Sequence, residues 1–279
     1  MTKIRDSKVL ITGGASGLGK SLGRLALEKG ASKLIIWDVN KDSLKQTIEK
    51  FRLKHPAVSG HVVDLGNPLQ IRGQAEQVLE KHHSIDILVN NAAISQKGHF
   101  ADQEQSDVSR TLRVNVEGPM HCARQFLPSM IGRGKGHIVN ISSASAIVPL
   151  PGMAVYAASK SALSTWGDCL RMEIKGCCPG IRVTNVFPGH LSTDMFAGHE
   201  SCVYIPTLDP DNVSKIILSA VEKNQRSVSM PLLVRLAPVL KSILPGPLFD
   251  FGLSFMKLDR KFLPCKTKSK YPQKKDAEK

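Results

Sequence analysis

Short apolar segments alternate with amphipathic helical segments along most of the chain. Six apolar segments have the length of buried strands, and they read KVLIT, KLIIWD, SGHVVDL, IDILVNNAAI, GHIVNIS and IRVTNVF. Helical periodicity is predicted over residues 18–30, 41–54, 68–82, 103–131, 154–176 and 210–224. Strands that alternate with helices in this way predict a parallel, doubly wound α/β sheet in a single domain.

Glycines follow the first strand and open the first helix, in the sequence GGASGLG at residues 13–19. Glycine lets the backbone turn tightly and approach a pyrophosphate, which then lies at the positive N-terminus of the helix. A plain strand-to-helix turn does not need four glycines in seven residues. The pattern predicts a Rossmann-type dinucleotide site. Its predicted pyrophosphate-binding residues are Gly13, Ser16, Gly17, Leu18 and Gly19.

An acidic residue, Asp38, ends the second predicted strand. A carboxylate at this place can accept hydrogen bonds from the hydroxyls of an adenosine ribose and repels a 2′-phosphate. The alternative is that Asp38 caps the following helix. Ser16 puts no cation into the glycine turn, although Lys41 is close in sequence. The pattern favours NAD over NADP as the cofactor.

Further candidate cofactor contacts follow the third and fourth predicted strands. Asp64 and Leu65 are candidate cofactor-binding residues, and the Asp64 carboxylate can accept a hydrogen bond from the adenine amino group. Asn91 and Ala92 follow the fourth strand, where a small side chain leaves room for a ribose and an amide supplies hydrogen bonds. We expect these residues at the carboxyl edge of the sheet, where open α/β sheets bind nucleotides.

Tyr156 and Lys160 are four residues apart in a predicted helix and therefore share one face. A cation beside a phenol favours the phenolate, which predicts a tyrosine pKa lowered from about 10 toward neutrality. Such a tyrosine can take a proton from an alcohol or return one to a carbonyl. Ser143 follows the fifth strand, where it can hydrogen-bond the same substrate oxygen. Asn115 lies inside a predicted helix, an unfavourable position for asparagine that suggests a functional role.

The composition is typical of a soluble globular protein with a strong positive charge. The 279 residues are 42% hydrophobic, with a mean hydropathy of −0.10, a net charge of +14 and a pI of about 9.6. Residues 227–279 hold eleven lysine and arginine residues against four acidic ones, a net +7 and half of the total. The cations are not interleaved with aromatic residues as in single-strand nucleic-acid grooves, so no nucleic-acid partner is expected.

The cysteines and the N-terminal sequence indicate the cellular compartment. The six cysteines form no CxxC pair and no Cys/His cluster, so we predict reduced thiols, a cytosolic-type compartment and no metal site. The N-terminal residues enter a strand at once, and we expect neither a signal peptide nor an N-terminal anchor. No run of 18 apolar residues predicts a transmembrane helix.

Taken together, these motifs resemble the short-chain dehydrogenase/reductase family over residues 8 to about 231. The motifs are TGGASGLG at 12–19, Asp38, Asp64, NNAA at 90–93, Asn115, Ser143, YAASK at 156–160 and PGHLST at 188–193. The chain departs from the family pattern at NNAA, where many members have NNAG. It also departs at its C-terminal end, where many members finish on a glycine-rich strand.

The resemblance implies a role for each matching residue. Tyr156 would be the general acid/base, Lys160 would lower its pKa and hold the nicotinamide ribose, and Ser143 would orient the substrate oxygen. Asn115 would hold a water in a proton relay through the lysine. Contacts to the carboxamide and pyrophosphate are implied for Pro188, Gly189, Leu191 and Thr193.

The segment WDVN at 37–40 and the C-terminal sequence resemble a subgroup of retinol and 17-beta-hydroxysteroid dehydrogenases that act at endoplasmic reticulum membranes and lipid droplets. This resemblance implies NAD-dependent oxidation of a lipophilic alcohol, such as a retinoid or a hydroxysteroid, to the carbonyl. The alternatives are an NADPH-linked carbonyl reductase of the same family and a lipid-surface scaffold with little turnover. The family commonly pairs through helices that correspond to 103–131 and 154–176, which implies a homodimer or homotetramer.

The substrate is expected to be apolar. Candidate wall residues are Ile94, Ile147, Pro149, Leu150, Met153, Leu191, Met195 and Phe196. The segment 190–206 is predicted to be a long irregular loop that covers the substrate and the nicotinamide.

Three regions are predicted: a dinucleotide-binding catalytic domain at 1–228, an apolar, cation-flanked extension at 229–263 and a basic disordered tail at 264–279. Prolines break the extension into short helices, and cations punctuate it, which favours interfacial attachment to anionic lipid. The alternatives are that it packs on the domain's own surface, covers the active site or forms a dimer interface. The predicted location is the cytoplasmic side, at the surface of the endoplasmic reticulum or of a lipid droplet in a eukaryote.

Overall fold

A computed structural model describes residues 1–192 and 207–255. Within these residues, parallel strands form one seven-stranded sheet in the order β3-β2-β1-β4-β5-β6-β7. The strands are β1 (Lys8–Thr12), β2 (Lys33–Asp38), β3 (Val58–Val62), β4 (Ile87–Asn90), β5 (Gly136–Ile141), β6 (Ile181–Pro188) and β7 (Ser227–Met230). The order reverses between β1 and β4, which opens a crevice at the carboxyl edge of the sheet. The predicted doubly wound α/β fold is confirmed.

Helices cover both faces of the sheet and bury two apolar cores. They are α1 (Gly17–Glu28), α2 (Lys41–Arg52), α3 (Pro68–His82), α4 (Gln105–Leu112), α5 (Gly118–Arg133), α6 (Ala154–Cys177), α7 (Pro210–Glu222), α8 (Leu232–Ile243) and α9 (Gly246–Phe255). Side chains alternate between the two cores along a strand: Val9 and Ile11 of β1 join one core, and Leu10 joins the other. The first core includes residues of α1, α2 and α7, and the second includes residues of α3, α5 and α6.

The long helix predicted over 103–131 is confirmed as one continuous helical run from Gln105 to Arg133, which contains a wide turn that was not predicted. The segment consists of a 3₁₀ turn at Phe100–Asp102, then α4, a π-helical turn at Arg113–Glu117 and α5. Asn115 lies in the wide turn, and its buried amide bonds the chain after β4. We attribute the interruption to these bonds, because π turns admit an extra residue where a side chain has a specific role.

Two strand predictions need adjustment at their ends, and one strand was missed. The third strand stops at Val62, so Asp64 and Leu65 lie in the following turn and not in the strand. The fourth strand stops at Asn90, and β7 was not predicted at all. The sheet continues through β7 to Met230, and α8 and α9 follow it.

The described residues contain no helix that is long and apolar enough to cross a membrane. Part of the predicted extension, residues 256–263, and the whole predicted tail at 264–279 lie outside the described residues. Most of the predicted loop over the substrate, residues 193–206, lies outside them as well.

Candidate active site

A cavity of about 250 Å³ opens at the carboxyl edge of the sheet. The predicted site residues that line it are Gly13, Ser16, Gly17, Leu18, Asp38, Asp64, Leu65, Asn91, Ala92, Ser143, Tyr156, Lys160, Pro188, Gly189 and Leu191. Residues far apart in sequence therefore meet in one place, because the parallel strands all end at the same edge. Gly19 and Asn115 do not line the cavity, and Thr193 lies outside the described residues.

The glycine turn and the first residues of α1 line the cavity. Gly13 and Gly17 have φ angles of 62° and 47°, the left-handed region that favours glycine. α1 begins at Gly17, and the side chain of Ser16 caps none of its N–H groups. These free donors at a helix N-terminus suit a pyrophosphate.

Gly19 has a packing role in the structure, and its predicted contact with the cofactor stays a prediction. A Cβ atom at this position would overlap the carbonyl oxygen of Gly13 and would lie 2.6 Å from Nδ2 of Asn91. Glycine is therefore required for α1 to approach the glycine turn and the chain after β4. The third glycine of such fingerprints commonly serves this close packing.

The carboxylate of Asp38 is held at the end of β2 by two backbone groups. Its Oδ2 accepts a hydrogen bond from the Ala15 N–H at 3.0 Å, and its Oδ1 accepts one from the Asn40 N–H at 3.0 Å. The alternative interpretation of Asp38 as a helix cap is wrong, because Asn40 caps α2 by accepting from the Ser43 N–H. Each carboxylate oxygen retains a further acceptor position.

Asn91 holds the glycine turn in place. Its side-chain amide donates to the carbonyl oxygens of Thr12 and Gly13, both at 3.0 Å. The hydroxyl of Thr12 in turn accepts the N–H groups of Asn91 and Ala92, at 3.0 and 3.1 Å. These reciprocal bonds fix the end of β4 against the end of β1, and Gly13 and Asn91, which follow the two strands, line the cavity. In the turn after β3, Oδ1 of Asp64 accepts a hydrogen bond from the Gly66 N–H at 2.8 Å.

Tyr156 is buried, and only 5% of it is exposed. Burial raises the pKa of Tyr156 to about 12, and a hydrogen bond from Ser143 opposes this rise. The expectation of a phenol pKa close to neutrality is therefore wrong for the protein alone, because burial penalises the phenolate more than its neighbours stabilise it. The Ser143 hydroxyl oxygen also accepts the Ser145 N–H at 3.1 Å, which leaves its own proton for donation.

Lys160 is buried on the same face of α6. Its Nζ donates to the carbonyl oxygen of Ile141 at 2.8 Å and lies 5.7 Å from the centre of the Tyr156 ring. Burial lowers the pKa of Lys160 to about 7. The four-residue spacing was sufficient to predict that the two side chains share a helix face. Their pKa values could not be predicted in this way, because both are dominated by burial, which arises only when the rest of the chain folds around them.

Asn115 joins the chain after β4 to α6. Its Oδ1 accepts the Ile94 N–H at 2.9 Å, and its Nδ2 donates to the Ile94 carbonyl oxygen at 2.9 Å and to the Ser159 hydroxyl at 3.0 Å. The amide is thus committed to protein partners and positions the wall of the cavity that contains Ile94. The proton relay implied by the resemblance stays a prediction.

Three hydroxyl residues that support the site were missed in the sequence. Thr12 bonds the chain after β4, Ser142 donates to the carbonyl oxygen of Lys160 at 2.8 Å, and Ser159 donates to that of Tyr156 at 2.7 Å. All three are buried. Each is adjacent in sequence to a predicted site residue, and this adjacency was the available signal. Further lining residues that were not predicted are Trp37, Val39, Val63, Ala93, Arg110, Val114, Ile141 and Ser142.

The candidate wall residues divide into three groups. Ile94 and Leu191 line the cavity. Met153 and Leu150 pack in a small apolar cluster with Tyr156. Ile147 and Pro149 do not line the cavity, and residues 195 and 196 lie outside the described residues.

Comparisons with known proteins agree with this geometry. A family model described as short chain dehydrogenase matches residues 7–201. The human protein named short-chain dehydrogenase/reductase 3 is 34% identical over 248 residues, which are 87% of this chain and 82% of that protein. The rat protein named estradiol 17-beta-dehydrogenase 11 is 29% identical over 243 residues, which are 87% of this chain and 81% of that protein.

Solved structures share the fold. A short-chain dehydrogenase from Burkholderia cenocepacia in complex with NADP has a TM-score of 0.76 at 25% identity and covers 90% of this chain and 98% of that one. A short-chain dehydrogenase/reductase from Burkholderia phymatum in complex with NAD has a TM-score of 0.77 at 22% identity and covers 96% of this chain and 100% of that one. The chain belongs to the short-chain dehydrogenase/reductase family of NAD(P)-dependent oxidoreductases.

Proposed function

We propose that the protein oxidises a lipophilic alcohol to the corresponding carbonyl compound with NAD as the hydride acceptor. The observation that carries this proposal is the Tyr156 phenol at the cavity wall, between the Ser143 hydroxyl and the Lys160 ammonium group. A phenol so placed can exchange a proton with a substrate oxygen that enters the cavity.

The residues at the end of β1 and β2 support a dinucleotide with a free ribose 2′-hydroxyl. The uncapped N-terminus of α1 suits the pyrophosphate. The Asp38 carboxylate, fixed by two backbone N–H groups, suits the ribose hydroxyls. A 2′-phosphate at this position would place two negative charges side by side, which disfavours NADP.

In the proposed reaction, the Tyr156 hydroxyl first releases its proton to solvent. The resulting phenolate oxygen then takes the hydroxyl proton of the alcohol as the carbinol C–H bond breaks as a hydride. The products are a carbonyl compound, NADH and a proton released to solvent. The bound oxidised nicotinamide supplies the hydride acceptor and a positive charge that favours the phenolate. Ser143 donates a hydrogen bond to the substrate oxygen and holds it near the phenol. When its amine is protonated, Lys160 lowers the free energy needed to form the Tyr156 phenolate.

Apolar neighbours of the phenol support a lipophilic substrate. Met153 and Leu150 pack with Tyr156, and Ile94 and Leu191 line the cavity. The name of the rat relative, estradiol 17-beta-dehydrogenase 11, points to a hydroxysteroid as one member of this class. A retinoid or a long-chain secondary alcohol has similar apolar character.

Initial rates with purified protein test this proposal. Estradiol, all-trans-retinol and a long-chain secondary alcohol are each assayed with NAD and with NADP, and the carbonyl products are assayed with NADH and NADPH. We expect oxidation of at least one alcohol, with NAD preferred over NADP. A preference for NADPH-linked reduction would replace the proposal by a carbonyl reductase, and tight NAD binding without turnover of any compound would favour a lipid-surface scaffold.

A further inference from the structure

An arginine that the proposed reaction does not use lines the active-site cavity. Arg110 lies in the last turn of α4 and is exposed. Among the described residues, the charged side chains of the cavity lining are Asp38, Asp64, Arg110 and Lys160. Burial lowers the pKa of Lys160 to about 7, whereas a guanidinium keeps its charge at any physiological pH. Arg110 is therefore the permanent cation of the described lining.

The position of Arg110 is at the end of the cavity where adenine is expected. Arg110 and Val114 are four residues apart in one helical run, so they share a face, and both line the cavity. A Cβ atom at Gly66 would lie 3.2 Å from Oδ1 of Asp64 and 3.5 Å from Cγ2 of Val114. Val114 thus packs beside the turn that contains Asp64, the residue expected to accept from the adenine amino group. Arg110 lies one helical turn from this point.

The guanidinium of Arg110 is not engaged by the described part of the protein. Within residues 1–192 and 207–255 it forms no ion pair and no hydrogen bond, whereas acidic groups hold Arg24 at 2.7 Å and Arg133 at 2.6 Å. Compensation of a helix dipole does not account for its position either. α4 continues directly into the π turn and α5, so its last turn is not a free helix C-terminus. The guanidinium is therefore available to a ligand in the cavity.

We propose that the Arg110 guanidinium stacks on the adenine ring of the bound dinucleotide and closes that end of its site. A planar guanidinium packs well on the face of a nucleobase, because dispersion and cation–π attraction act together. The apolar side chains of Val63, Leu65 and Val114 line the same cavity and suit the rest of the ring. The inference rests on the part of the proposed function that concerns dinucleotide binding, and it holds for oxidation and reduction alike.

The other ligand group that an arginine could bind here is the 2′-phosphate of NADP. The lining beside the expected ribose is acidic and apolar. Asp38 is fixed there by two backbone N–H groups, and the next residue, Val39, is 59% exposed and also lines the cavity. Arg110 instead belongs to the helix face that packs beside the turn of Asp64. Adenine is therefore the favoured partner of the guanidinium.

Binding of cofactor fragments, measured by isothermal titration calorimetry on the full chain, tests the inference. ADP-ribose contains the adenine, and reduced nicotinamide mononucleotide lacks the whole adenosine half. Arg110→Leu removes the cation, and Arg110→Lys keeps the charge but has no planar group. We expect both variants to weaken binding of NADH and of ADP-ribose by at least about threefold, with the dissociation constant of reduced nicotinamide mononucleotide unchanged.

Arg113→Leu is the matched control. Arg113 lies in the same helical run and is exposed, but it does not line the cavity. The substitution removes the same charge as Arg110→Leu, and it should leave the affinities for all three ligands unchanged. Equal losses for ADP-ribose and for reduced nicotinamide mononucleotide in both Arg110 variants would show a general disturbance of the site and would overturn the inference.

The remaining outcomes separate this inference from the proposed function. An ADP-ribose affinity of Arg110→Leu within about twofold of the unmodified protein would overturn the inference and leave the proposed function in place. A loss at least about tenfold greater for NADPH than for NADH would assign Arg110 to the 2′-phosphate and would also overturn it. An unmodified protein that binds neither NADH nor NADPH would overturn both. The expected affinities without oxidation of any alcohol would support the inference and contradict the proposed reaction alone.

Discussion

The Nζ atom of Lys160 lies 5.7 Å from the centre of the Tyr156 ring, and both side chains are buried. Burial moves their pKa values in directions that disfavour both charges, to about 7 for the lysine and about 12 for the tyrosine. In the protein alone, the phenol is therefore protonated at neutral pH. Its activation depends on positive charge near it, from the lysine and from the oxidised cofactor.

The lysine should make folding stability depend on pH. Its folded pKa of about 7 lies below the ordinary value of 10.5, so between these values the unfolded chain holds a proton that the folded chain has released. Stability from this group therefore increases as the pH rises from about 7 to about 10. Lys160→Met removes the titrating group, and the free energy of unfolding should then rise less over this range than in the unmodified protein.

Denaturant unfolding without cofactor, at pH values from about 7 to about 10, measures this difference. The two proteins must be compared with each other because Cys122 changes stability in the opposite direction. Burial raises the pKa of Cys122 to about 12, so this thiol lowers stability as the pH approaches the upper end of the range. Equal slopes for both proteins would show that Lys160 does not have a lowered pKa.

Cofactor preference should depend on Asp38. Asp38→Asn keeps the size of the side chain and removes the negative charge that opposes a 2′-phosphate. We expect the ratio of kcat/KM with NAD to that with NADP to fall at least about tenfold, which corresponds to roughly 1.4 kcal/mol. The control is Asp42→Asn, an exposed residue in the first turn of α2, which should leave the ratio unchanged. An unchanged ratio in Asp38→Asn would remove the basis for proposing NAD.

Three asparagine side chains are hydrogen-bonded in a row across the sheet, and we call them the asparagine ladder. We expect this ladder to exclude any side chain larger than glycine at one position of α6. The amide of Asn90 donates to Asn140 at 2.9 Å, and that of Asn140 donates to Asn185 at 3.2 Å. A Cβ atom on Gly167 of α6 would overlap Oδ1 of Asn185 and would lie 2.6 Å from Nδ2 of Asn140. Gly167→Ala should therefore lower the free energy of unfolding by about 1–3 kcal/mol, since it forces the ladder apart.

Gly176, near the end of the same helix, has nothing within 4 Å of an added Cβ atom. Gly176→Ala should leave stability unchanged or raise it by up to about 1 kcal/mol, because alanine favours the helix. Thermal and denaturant unfolding measure both variants. A Gly167→Ala protein as stable as Gly176→Ala would show that the ladder tolerates the extra carbon.

The side chain of Asn115 makes hydrogen bonds to Ile94 and Ser159, which we call the Asn115 clamp, and these bonds should stabilise the fold together. Asn115→Ala leaves the backbone N–H and carbonyl groups of Ile94 without their partner and should lower the free energy of unfolding by about 1–3 kcal/mol. Ser159→Ala removes only one bond to the amide and should cost less. Denaturant unfolding gives the order of the two losses, and a greater loss in Ser159→Ala would contradict the clamp.

Local sequence signals predicted most of the framework. Apolar strand-length runs and helical periodicity were sufficient for six strands, since burial on both faces of a parallel sheet leaves a strong pattern. The four-residue spacing placed Tyr156 and Lys160 on one helix face, and the glycine turn and Asp38 fell where predicted, on the cavity.

Properties that depend on contacts between distant segments could not be predicted. The raised pKa of Tyr156 follows from burial by the whole fold, which outweighs the neighbouring lysine. The π turn at Asn115 follows from bonds to Ile94 and Ser159, which are 21 and 44 residues away in sequence. Gly19 serves packing because α1 meets the chain after β4. The sequence showed the apolar character of α8 and α9, but not which side chains the fold leaves exposed.

The central claim is that the Tyr156 hydroxyl carries out proton transfer during NAD-linked alcohol oxidation. The most direct test is the rate of NADH formation by Tyr156→Phe at saturating NAD, with the alcohol that the unmodified protein oxidises best. We predict that kcat falls by roughly 10²–10⁴-fold while the dissociation constant of NAD and the melting temperature stay close to those of the unmodified protein. Turnover of Tyr156→Phe at more than about a tenth of the unmodified rate would contradict the claim and would assign the proton transfer to another group.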